Sequence, residues 1–519
     1  LRLRAATVLT MDPRHPVARE IGIWQGRVVA LDEAAAALPA RRTEDLGEVT
    51  VLPGFVDAHV HLAWTGLRSH ATSIAPCCDA ATVLATIGAA ARQRPAGGWI
   101  DVVGYDQRCL GRHLNAAELD AAAPEHRVLV LHDSGHACVV NTAVLDQLPP
   151  GTAHTGGVLT ESGTAAVRAQ RQPYPLSELV DAISAAAGEC LTEGVTSVAE
   201  AGIGGGLISH SPIELAAYQQ ALEHGRLPIR VQVMVSTELL RPVEAHAEDA
   251  VARAMDLGLR TGLGDERLSI GALKIFTDGG MMARTAALTT PYCGADHTGQ
   301  LYADPAGLTA AIVDGHRAGW QLAVHAIGDR AVDLTLDALQ AAQRAHPRPQ
   351  ARHRIEHAGL VRPDQLPRCA ALGVTAVVQP NFLWYLGDDY AEIMGPHRAP
   401  WLYRGRAFLD HGIRLAGSSD RPVTPGAPLR AIQCMVQRQT SSGRTVGPDE
   451  AITVEQALRA YTTDAAHACH AEDRVGSLTP GRLADAVVLA EDPRHADPDH
   501  IGDIKILATL VGGVATSHP

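Results

Sequence analysis

Residues able to bind a metal ion stand at the ends of several apolar runs in this sequence. The first run ends in Asp-Ala-His-Val-His, which contains His59 and His61. In an extended strand, residues i and i+2 point to the same face, so both imidazoles can reach one ion. The spacing is a weak signal among 25 histidines. Its position at a strand end, after Leu-Pro-Gly-Phe, makes it more informative.

Four further candidate ligands lie in later apolar runs or directly after them, namely Lys274, His325, His357 and Asp420. An isolated histidine is at least as often a satisfied core residue, but this many candidates at equivalent strand ends indicate one shared site. Burying an ammonium is costly, so Lys274 could snorkel or pair with Asp278. Alternatively, carbon dioxide could carboxylate it and convert it into an anionic ligand. Nitrogen and oxygen ligands of this kind suit Zn²⁺.

Eight buried strands that alternate with helices would position these residues. Such alternation predicts an α/β protein with a (β/α)8 TIM-like barrel over residues 53–470. The carboxyl ends of the strands then carry the active site. The apolar runs are residues 56–60, 196–199, 229–235, 270–276, 322–324, 354–355, 374–378 and 413–416.

Two further regions are predicted outside the barrel. Short strand-like segments at both ends of the chain predict a composite β-sandwich from residues 1–52 and 471–519. The interval between the first two barrel strands is too long for a single β/α unit of about 30 residues. Residues 62–176 are therefore interpreted as an inserted subdomain over the barrel mouth.

Composition excludes several classes of function. The chain has 519 residues and a formal net charge of −13 without a basic cluster, which argues against a nucleic-acid partner. No apolar run approaches the roughly 20 residues of a membrane span. The nine cysteines lack paired Cys-x-x-Cys spacing, which is typical of reduced thiols in a cytoplasmic enzyme.

Longer motifs carry a resemblance to a known family. The chain resembles the amidohydrolase superfamily (amidohydrolase family 3), and within it the YtcJ-like branch, which includes N-substituted formamide deformylase. The tail at residues 476–486 is also typical of the superfamily. The matching motifs are Gly-Tyr-Asp-Gln at 104–107, Asp-Ser-Gly-His at 133–136, Arg-Thr-Ala-Ala-Leu at 284–288, His-Ala-Ile-Gly-Asp-Arg-Ala at 325–331, Arg-Ile-Glu-His at 354–357 and Gly-Ser-Ser-Asp-Arg-Pro-Val at 417–423.

The resemblance implies a role for each candidate ligand. His59, His61 and Asp420 would bind the more buried of one or two zinc ions. His325 and His357 would bind the second ion, and a carboxylated Lys274 would bridge the two. The implied reaction is hydrolysis of a non-peptide C–N bond, in an N-substituted amide or formamide, by metal-activated hydroxide. Asp420 would act as general base and then general acid, with Lys274 and His325 also catalytic.

Six residues are candidate substrate contacts, and several of them have a structural alternative. His136 could be a structural loop histidine, Arg284 could form an ion pair, and the aromatic residues could pack in the core. The expected partner is a small-molecule substrate, with a homo-dimer or higher homo-oligomer left open. The six are Tyr105, Asp106, His136, Arg284, Phe382 and Trp384.

Three other functions compete with amide hydrolysis. A deaminase of this superfamily usually carries a glutamate soon after the histidine of the fifth strand, whereas Gly328 stands there in this chain. A metal-dependent decarboxylase would release carbon dioxide. A non-catalytic, ligand-binding regulator is the third alternative, and the complete set of ligands argues against it.

Overall fold

A computed structural model describes residues 1–75, 77–105, 107–132, 137–160, 162–205 and 208–517. The chain divides into two compact units. One comprises Leu1–Leu62, Ala186–Ser209 and Tyr218–Pro519. The other comprises Ala63–Ala185 and His210–Ala217.

The larger unit contains a sheet of eight parallel strands in which every strand neighbours the next one along the chain. All eight coincide with the apolar runs that predicted them, and the α/β barrel prediction is confirmed. The strands are β1 (Phe55–Val60), β2 (Val195–Ile203), β3 (Arg230–Ser236), β4 (Leu268–Phe276), β5 (Leu322–Ala326), β6 (Arg354–His357), β7 (Thr375–Val378) and β8 (Arg414–Gly417).

Backbone hydrogen bonds bring the first and last strands of this sheet together. The amide of Asp420 donates to the carbonyl of His59 at 2.8 Å, and the amide of His61 donates to the carbonyl of Arg421 at 2.9 Å. The segment after β8 is thereby joined to the end of β1. The same two bonds place residues 59–61 beside residue 420, although they are about 360 positions apart in the sequence.

Both ends of the chain contribute to a second eight-stranded sheet in the larger unit. Thr50–Pro53 pairs with Ala486–Leu489 in antiparallel register, so the N-terminal and C-terminal strands share hydrogen bonds. Its apolar core includes Val8, Val51 and Val488. The boundaries of the predicted composite β-sandwich, at residues 1–52 and 471–519, stay a prediction. The remaining strands are Arg2–Leu9, Val17–Trp24, Arg27–Leu31, Thr43–Asp45, Ile506–Val511 and Val514–Ser517.

The smaller unit is built on a five-stranded sheet with its own apolar core. It begins close to where the inserted subdomain was predicted, since the chain leaves β1 at Val60 and returns to β2 only at Val195. The placement of that subdomain over the barrel mouth stays a prediction. Its strands are Thr72–Ser73, Trp99–Tyr105, Arg127–His132, Ala137–Val140 and Val158–Thr160, and its helices are Ala80–Ala91, Gln107–Leu110, Ala116–Ala122, Thr142–Leu145 and Ser162–Arg171.

Local sequence signals explain where individual helices begin. Helix Pro305–Arg317 has proline in its first turn, and the carboxylate of Asp304 accepts hydrogen bonds from the amides of Ala306 and Gly307. Proline has no amide proton to lose there, and an aspartate cap satisfies two otherwise unpaired donors. Across the described ranges, no helix has both the length and the apolar character needed to cross a membrane.

The other helices lie between the strands or at the ends of the units. The α-helices are Asp32–Ala36, Leu62–His70, Leu176–Thr192, Glu214–Glu223, Asp329–Ala345, Leu366–Leu372, Pro380–Arg398, Arg406–Asp410, Pro428–Gln437, Val454–Ala460 and Thr463–Ala468. Short 3₁₀ helices are Thr237–Leu239, Ala247–Asp249, Asp256–Gly258, Ala399–Trp401, Pro448–Glu450 and Pro498–Asp503. A small two-stranded sheet pairs Arg241–Pro242 with Arg253–Ala254.

Two buried histidines form a hydrogen-bonded chain near the start of β5. The amide of Leu322 donates to Nδ1 of His353 at 3.0 Å, so the proton of that ring lies on Nε2. His353 then donates to Nδ1 of His316 at 2.8 Å, and His316 donates to the carbonyl of His346 at 2.7 Å. All ring nitrogens are satisfied with both rings neutral. Burial lowers the pKa of both His316 and His353.

These hydrogen-bonded, neutral histidines predict a loss of stability in acid. The pKa of an unfolded histidine is about 6.5, so below that pH the unfolded state binds a proton that His353 does not bind in the folded state. The loss for His353 reaches on the order of 2 kcal/mol at pH 5. Denaturant unfolding at pH 7.5 and pH 5 measures it. We expect the His353→Gln variant to lose less stability between the two pH values than wild type. The exposed-site variant His500→Gln should match wild type, and equal pH slopes in all three proteins would contradict the prediction.

Candidate metal centre

Strand β1 carries two histidines into the candidate site. His59 is its penultimate residue, His61 follows its end, and their rings lie 5.5 Å apart between centroids. The carboxylate of Asp57 accepts hydrogen bonds from the amides of His59 at 3.3 Å and Ser419 at 3.0 Å. Asp57 therefore ties the end of β1 to the segment that carries Asp420.

Asp420 lies between these two histidines. One carboxylate oxygen, Oδ1, lies 3.3 Å from Nε2 of His59 and 3.1 Å from Nε2 of His61. His357, at the end of β6, completes a buried group in which one ligand atom each of His59, His357 and Asp420 lies within 4.8 Å of the others. Three strand ends thus converge on one point.

Lys274 lies in the same group. Its side chain is buried, and its Nζ is 3.3 Å from Nε2 of His59. Burial lowers the pKa of Lys274 to about 8. Among the described residues, Lys274 forms no ion pair with Asp278, whose carboxylate accepts hydrogen bonds from the amides of Ala287, Ile327 and Gly328.

His325 adds an unpaired nitrogen. Its ring lies 4.4 Å from that of His357 between centroids. Its Nε2 faces the carbonyl of Gly279 at 3.2 Å and Oδ1 of Asp278 at 3.4 Å. Its Nδ1 is buried and has no hydrogen-bond partner among the described residues. A buried polar atom without a partner is costly, and a metal ligand would be such an atom.

An oxygen atom lies near the ring nitrogen that faces away from the group of ligand atoms, and for His59 and His357 it is within hydrogen-bond distance. His59 Nδ1 contacts Glu356 at 2.5 Å, and His357 Nδ1 contacts Gln379 at 2.9 Å. His61 Nδ1 lies 3.6 Å from Glu200. Metal-bound histidines almost always have such partners, which fix the ring and its tautomer.

The surroundings of the site favour a neutral form of His325 and His357 and an ionised form of Asp420. Burial alone would raise the pKa of Asp420, but its close contacts with His59 and His61 hold that pKa well below its usual range. Burial lowers the pKa of His357 to about 3 and that of His325 well below its usual value. A neutral imidazole and an ionised carboxylate are the forms that bind metal.

His61 differs from the other histidines. Burial lowers its pKa, but the hydrogen bonds and negative charges of Asp420 and Glu200 outweigh that effect and raise the pKa to about 9. Two carboxylates therefore surround this ring. A divalent metal ion bound at His61 would compete with the proton of that ring for the negative charges of Asp420 and Glu200.

Backbone strain is concentrated at two of these residues. His357 has φ of 71° and Asp420 has φ of 54°, a left-handed region that residues with a side chain enter at a cost of about 1–3 kcal/mol. Such strain persists at functional sites, where the surrounding contacts impose it. Here it turns both side chains at the point where their strands end.

The donor set fits a zinc ion. Imidazole nitrogens, a carboxylate and a lysine nitrogen converge, and an unpaired Nδ1 of His325 is left for a ligand. Nitrogen and oxygen donors of this kind suit Zn²⁺. The assignment of His59, His61, Lys274, His325, His357 and Asp420 as metal ligands stays a prediction.

The predicted substrate contacts fall in different surroundings. Phe382 stacks on His357 with ring centroids 6.4 Å apart, so it borders the metal group. Trp384 is partly buried and lies under the guanidinium of Arg430. Arg284 is exposed, in the loop after β4.

Three other predicted contacts belong to the smaller unit's stretch of chain. Tyr105 is buried in that unit's apolar core, and its hydroxyl bonds with His113 Nδ1 at 3.0 Å and accepts from the amide of Leu114 at 3.2 Å. Asp106 and His136 lie outside the described residues. The roles of all six substrate contacts stay predictions.

Several residues at the site were not selected by the sequence analysis. Glu356, Glu200 and Gln379 were missed because each is identified only by its partner on another strand.

The rarity of lysine in this sequence is a further signal for Lys274 that the sequence analysis did not use. Only two of the 44 basic Lys and Arg residues are lysine, Lys274 and Lys505, so a lysine in a buried strand departs from the composition of the whole chain.

Comparison with known proteins identifies the family. The model of a family described as "Amidohydrolase family" matches residues 42–516. The chain is a member of the amidohydrolase family. The superfamily resemblance is therefore confirmed, and the chain belongs to a family of metal-dependent hydrolases.

Individual relatives cover nearly the whole chain. N-substituted formamide deformylase of Arthrobacter pascens is 28% identical over 98% of this chain and 96% of its own length. An uncharacterized metal-dependent hydrolase from Pyrococcus horikoshii is 27% identical, with a TM-score of 0.81 over 96% of this chain and 99% of its own. The zinc-complexed atrazine chlorohydrolase TrzN from Arthrobacter aurescens is 16% identical, with a TM-score of 0.55 over 99% of this chain and 94% of its own, and shows the fold alone.

Proposed function

We propose that this protein is a zinc-dependent amidohydrolase that hydrolyses a non-peptide C–N bond in an N-substituted amide or formamide. The observation that carries the proposal is the buried convergence of His59, His357 and Asp420, whose ligand atoms lie within 4.8 Å of one another. The full-length similarity to a formamide deformylase supports the choice of bond.

Six side chains would hold one or two zinc ions. His59, His61 and Asp420 are proposed to hold the more buried ion. His325 and His357 would hold a second, with Lys274 between the two. When bound, zinc supplies a Lewis acid that polarises a carbonyl and lowers the pKa of a ligated water towards neutrality.

Asp420 is proposed to carry the proton. Its carboxylate is ionised at neutral pH because His59 and His61 hold its pKa low. Water adds through its oxygen to the substrate carbonyl carbon, and Asp420 accepts the proton that the water loses. The C–N bond then breaks, and Asp420 returns the proton to the departing nitrogen, so the products are an acid and an amine.

Lys274 is proposed to react with carbon dioxide. The ammonium would first lose one proton to give a neutral amine. The lone pair on Nζ would then form a bond to the carbon, one C=O electron pair would move to oxygen, and the nitrogen would lose a second proton, which gives a carbamate; both protons pass to solvent. The resulting anion has two oxygens and would replace a cation that lies 3.3 Å from His59. Because the side chain is buried, an ammonium there is costly, whereas the negative charge of a carbamate would be neutralised by a bound cation.

Aromatic side chains are proposed to form the wall of the substrate pocket. Phe382 is stacked on His357 and is the first of these contacts. Trp384, Arg284, Tyr105, Asp106 and His136 are the other proposed contacts. The aromatic part of this wall would favour an amide with a hydrocarbon substituent on nitrogen.

A substrate panel tests the proposed function. The zinc-loaded protein is assayed with N-formyl amines, N-acyl amines and cyclic amides, and release of amine and acid is measured. We expect turnover of at least one N-substituted amide or formamide, with loss of turnover after chelation and recovery when zinc is restored. Inactivity on all three classes would contradict the proposal. Release of carbon dioxide instead would favour the decarboxylase alternative.

A further inference from the structure

An arginine–glutamate pair lies in the interior of the barrel on strand β6. Arg354 and Glu356 are both fully buried, and their positions two residues apart place them on the same face of the strand. Arg354 donates from Nε to Oε1 of Glu356 at 2.8 Å and from Nη2 to Oε2 at 2.9 Å. Neither residue belongs to the proposed metal ligands.

Both members of the pair contact the same short segment of β1. Oε2 of Glu356 lies 2.5 Å from Nδ1 of His59, and Nη2 of Arg354 donates to the carbonyl of Ala58 at 2.6 Å. The pair therefore holds the ring of His59 and the backbone just before it. At its other side, Nη1 of Arg354 faces the sulfur of Cys469 at 3.7 Å.

Stability alone does not account for this pair. Replacing a buried ion pair by apolar residues of similar volume is often neutral or stabilising, because desolvation offsets the attraction. The barrel interior nearby is lined by small apolar residues such as Ala199, Ala272 and Ala323, so apolar packing is already the rule there. A specific task for the two charges is the more direct explanation.

The geometry identifies that task. A carboxylate on Nδ1 holds the proton of the imidazole there and leaves the lone pair on Nε2. Nε2 of His59 is the nitrogen that faces Asp420 Oδ1 and Lys274 Nζ, each at 3.3 Å. The ring of His59 is therefore held in one orientation, in which the lone pair of Nε2 points towards Asp420 and Lys274.

We propose that Glu356, held in place by Arg354, is a positioning residue that fixes the ring and tautomer of His59 for zinc binding. This inference rests on the proposed function and deepens it. It concerns a residue that touches neither substrate nor zinc, so its effect passes through His59 alone.

Zinc affinity measured by competition with a chromophoric chelator tests the inference. We expect Glu356→Leu, which removes the acceptor on His59 Nδ1, to weaken zinc binding about 10–100-fold, the range for loss of a partner that orients a ligand. The double variant Arg354→Met/Glu356→Leu removes both charges together. We expect it to unfold at a temperature close to that of wild type and to bind zinc as weakly as Glu356→Leu.

A matched control separates positioning from general loss of stability. Glu450 is buried, pairs with Arg404 and accepts hydrogen bonds from the amides of Gly405 and Ala407. Glu450→Leu disrupts an equivalent buried pair outside the metal group, so we expect wild-type zinc affinity even if the unfolding temperature falls.

The possible results are distinct. Wild-type zinc affinity in Glu356→Leu, or in the double variant, would overturn the inference and leave the proposed function standing. An equal loss of affinity in Glu450→Leu would also overturn it, because the effect would then follow stability. A wild-type protein that binds no zinc would overturn the proposed function itself.

Discussion

Replacing Asp420 by asparagine is expected to lower kcat by about 10²–10⁴-fold, the range for loss of a general base and acid. Asparagine keeps the size of the side chain and an oxygen for His59 and His61, but it cannot accept the proton from water. Zinc content should fall only in part, because four histidines and Lys274 remain. Steady-state kinetics on the substrate found by the panel, with zinc content measured in parallel, checks the result.

Two comparisons make the test of Asp420 decisive. Asp410→Asn changes an exposed aspartate at the end of a helix and should leave kcat unchanged. If Asp420→Asn retained the wild-type kcat with its zinc in place, the assigned proton transfer would be wrong.

Replacing Lys274 by methionine is expected to cause a large loss of both zinc affinity and turnover. Lys274→Met keeps a long apolar side chain in the buried strand, yet it cannot form a carbamate. We expect zinc affinity to fall by more than about 100-fold, beyond the loss seen when only an outer partner is removed, and turnover to fall with it. Zinc titration and kinetics on the same preparation measure both quantities.

The composition of the chain makes the carbamate directly observable. Because the sequence contains only Lys274 and Lys505, protein exchanged with ¹³C-bicarbonate should show one carbamate resonance by NMR. The resonance should be absent in Lys274→Met and present in Lys505→Arg, in which the other, exposed lysine is replaced. A zinc-loaded wild-type protein with no such resonance would show that Lys274 acts as an amine.

The barrel strands were predictable because burial on both faces leaves a nearly continuous apolar run. Each of the eight runs coincides with a strand, and the helices between them carry their own caps, as at Asp304. The second strand was predicted too short: it continues to Ile203, since Glu200 and Gly202 interrupt the apolar pattern without interrupting the strand.

The outer partners of the site were not predictable in the same way. Glu356 acts on His59, which lies 297 residues earlier, and Glu200 lies beside His61. Adjacency in the sequence carries no information about such pairs, because it is the order of strands in the barrel that brings them together. The ligands themselves could be proposed because a polar residue at the end of a buried strand stands out against its neighbours.

The zinc content of the purified protein, measured by inductively coupled plasma mass spectrometry, tests the central claim most directly. We expect at least one tightly bound zinc ion per chain after dialysis of wild type. His59→Ala and His357→Ala should lose it, whereas His500→Ala, which changes an exposed histidine, should keep it. Wild-type protein that retains no zinc from zinc-replete cells, or His59→Ala and His357→Ala variants that retain as much as wild type, would contradict the account.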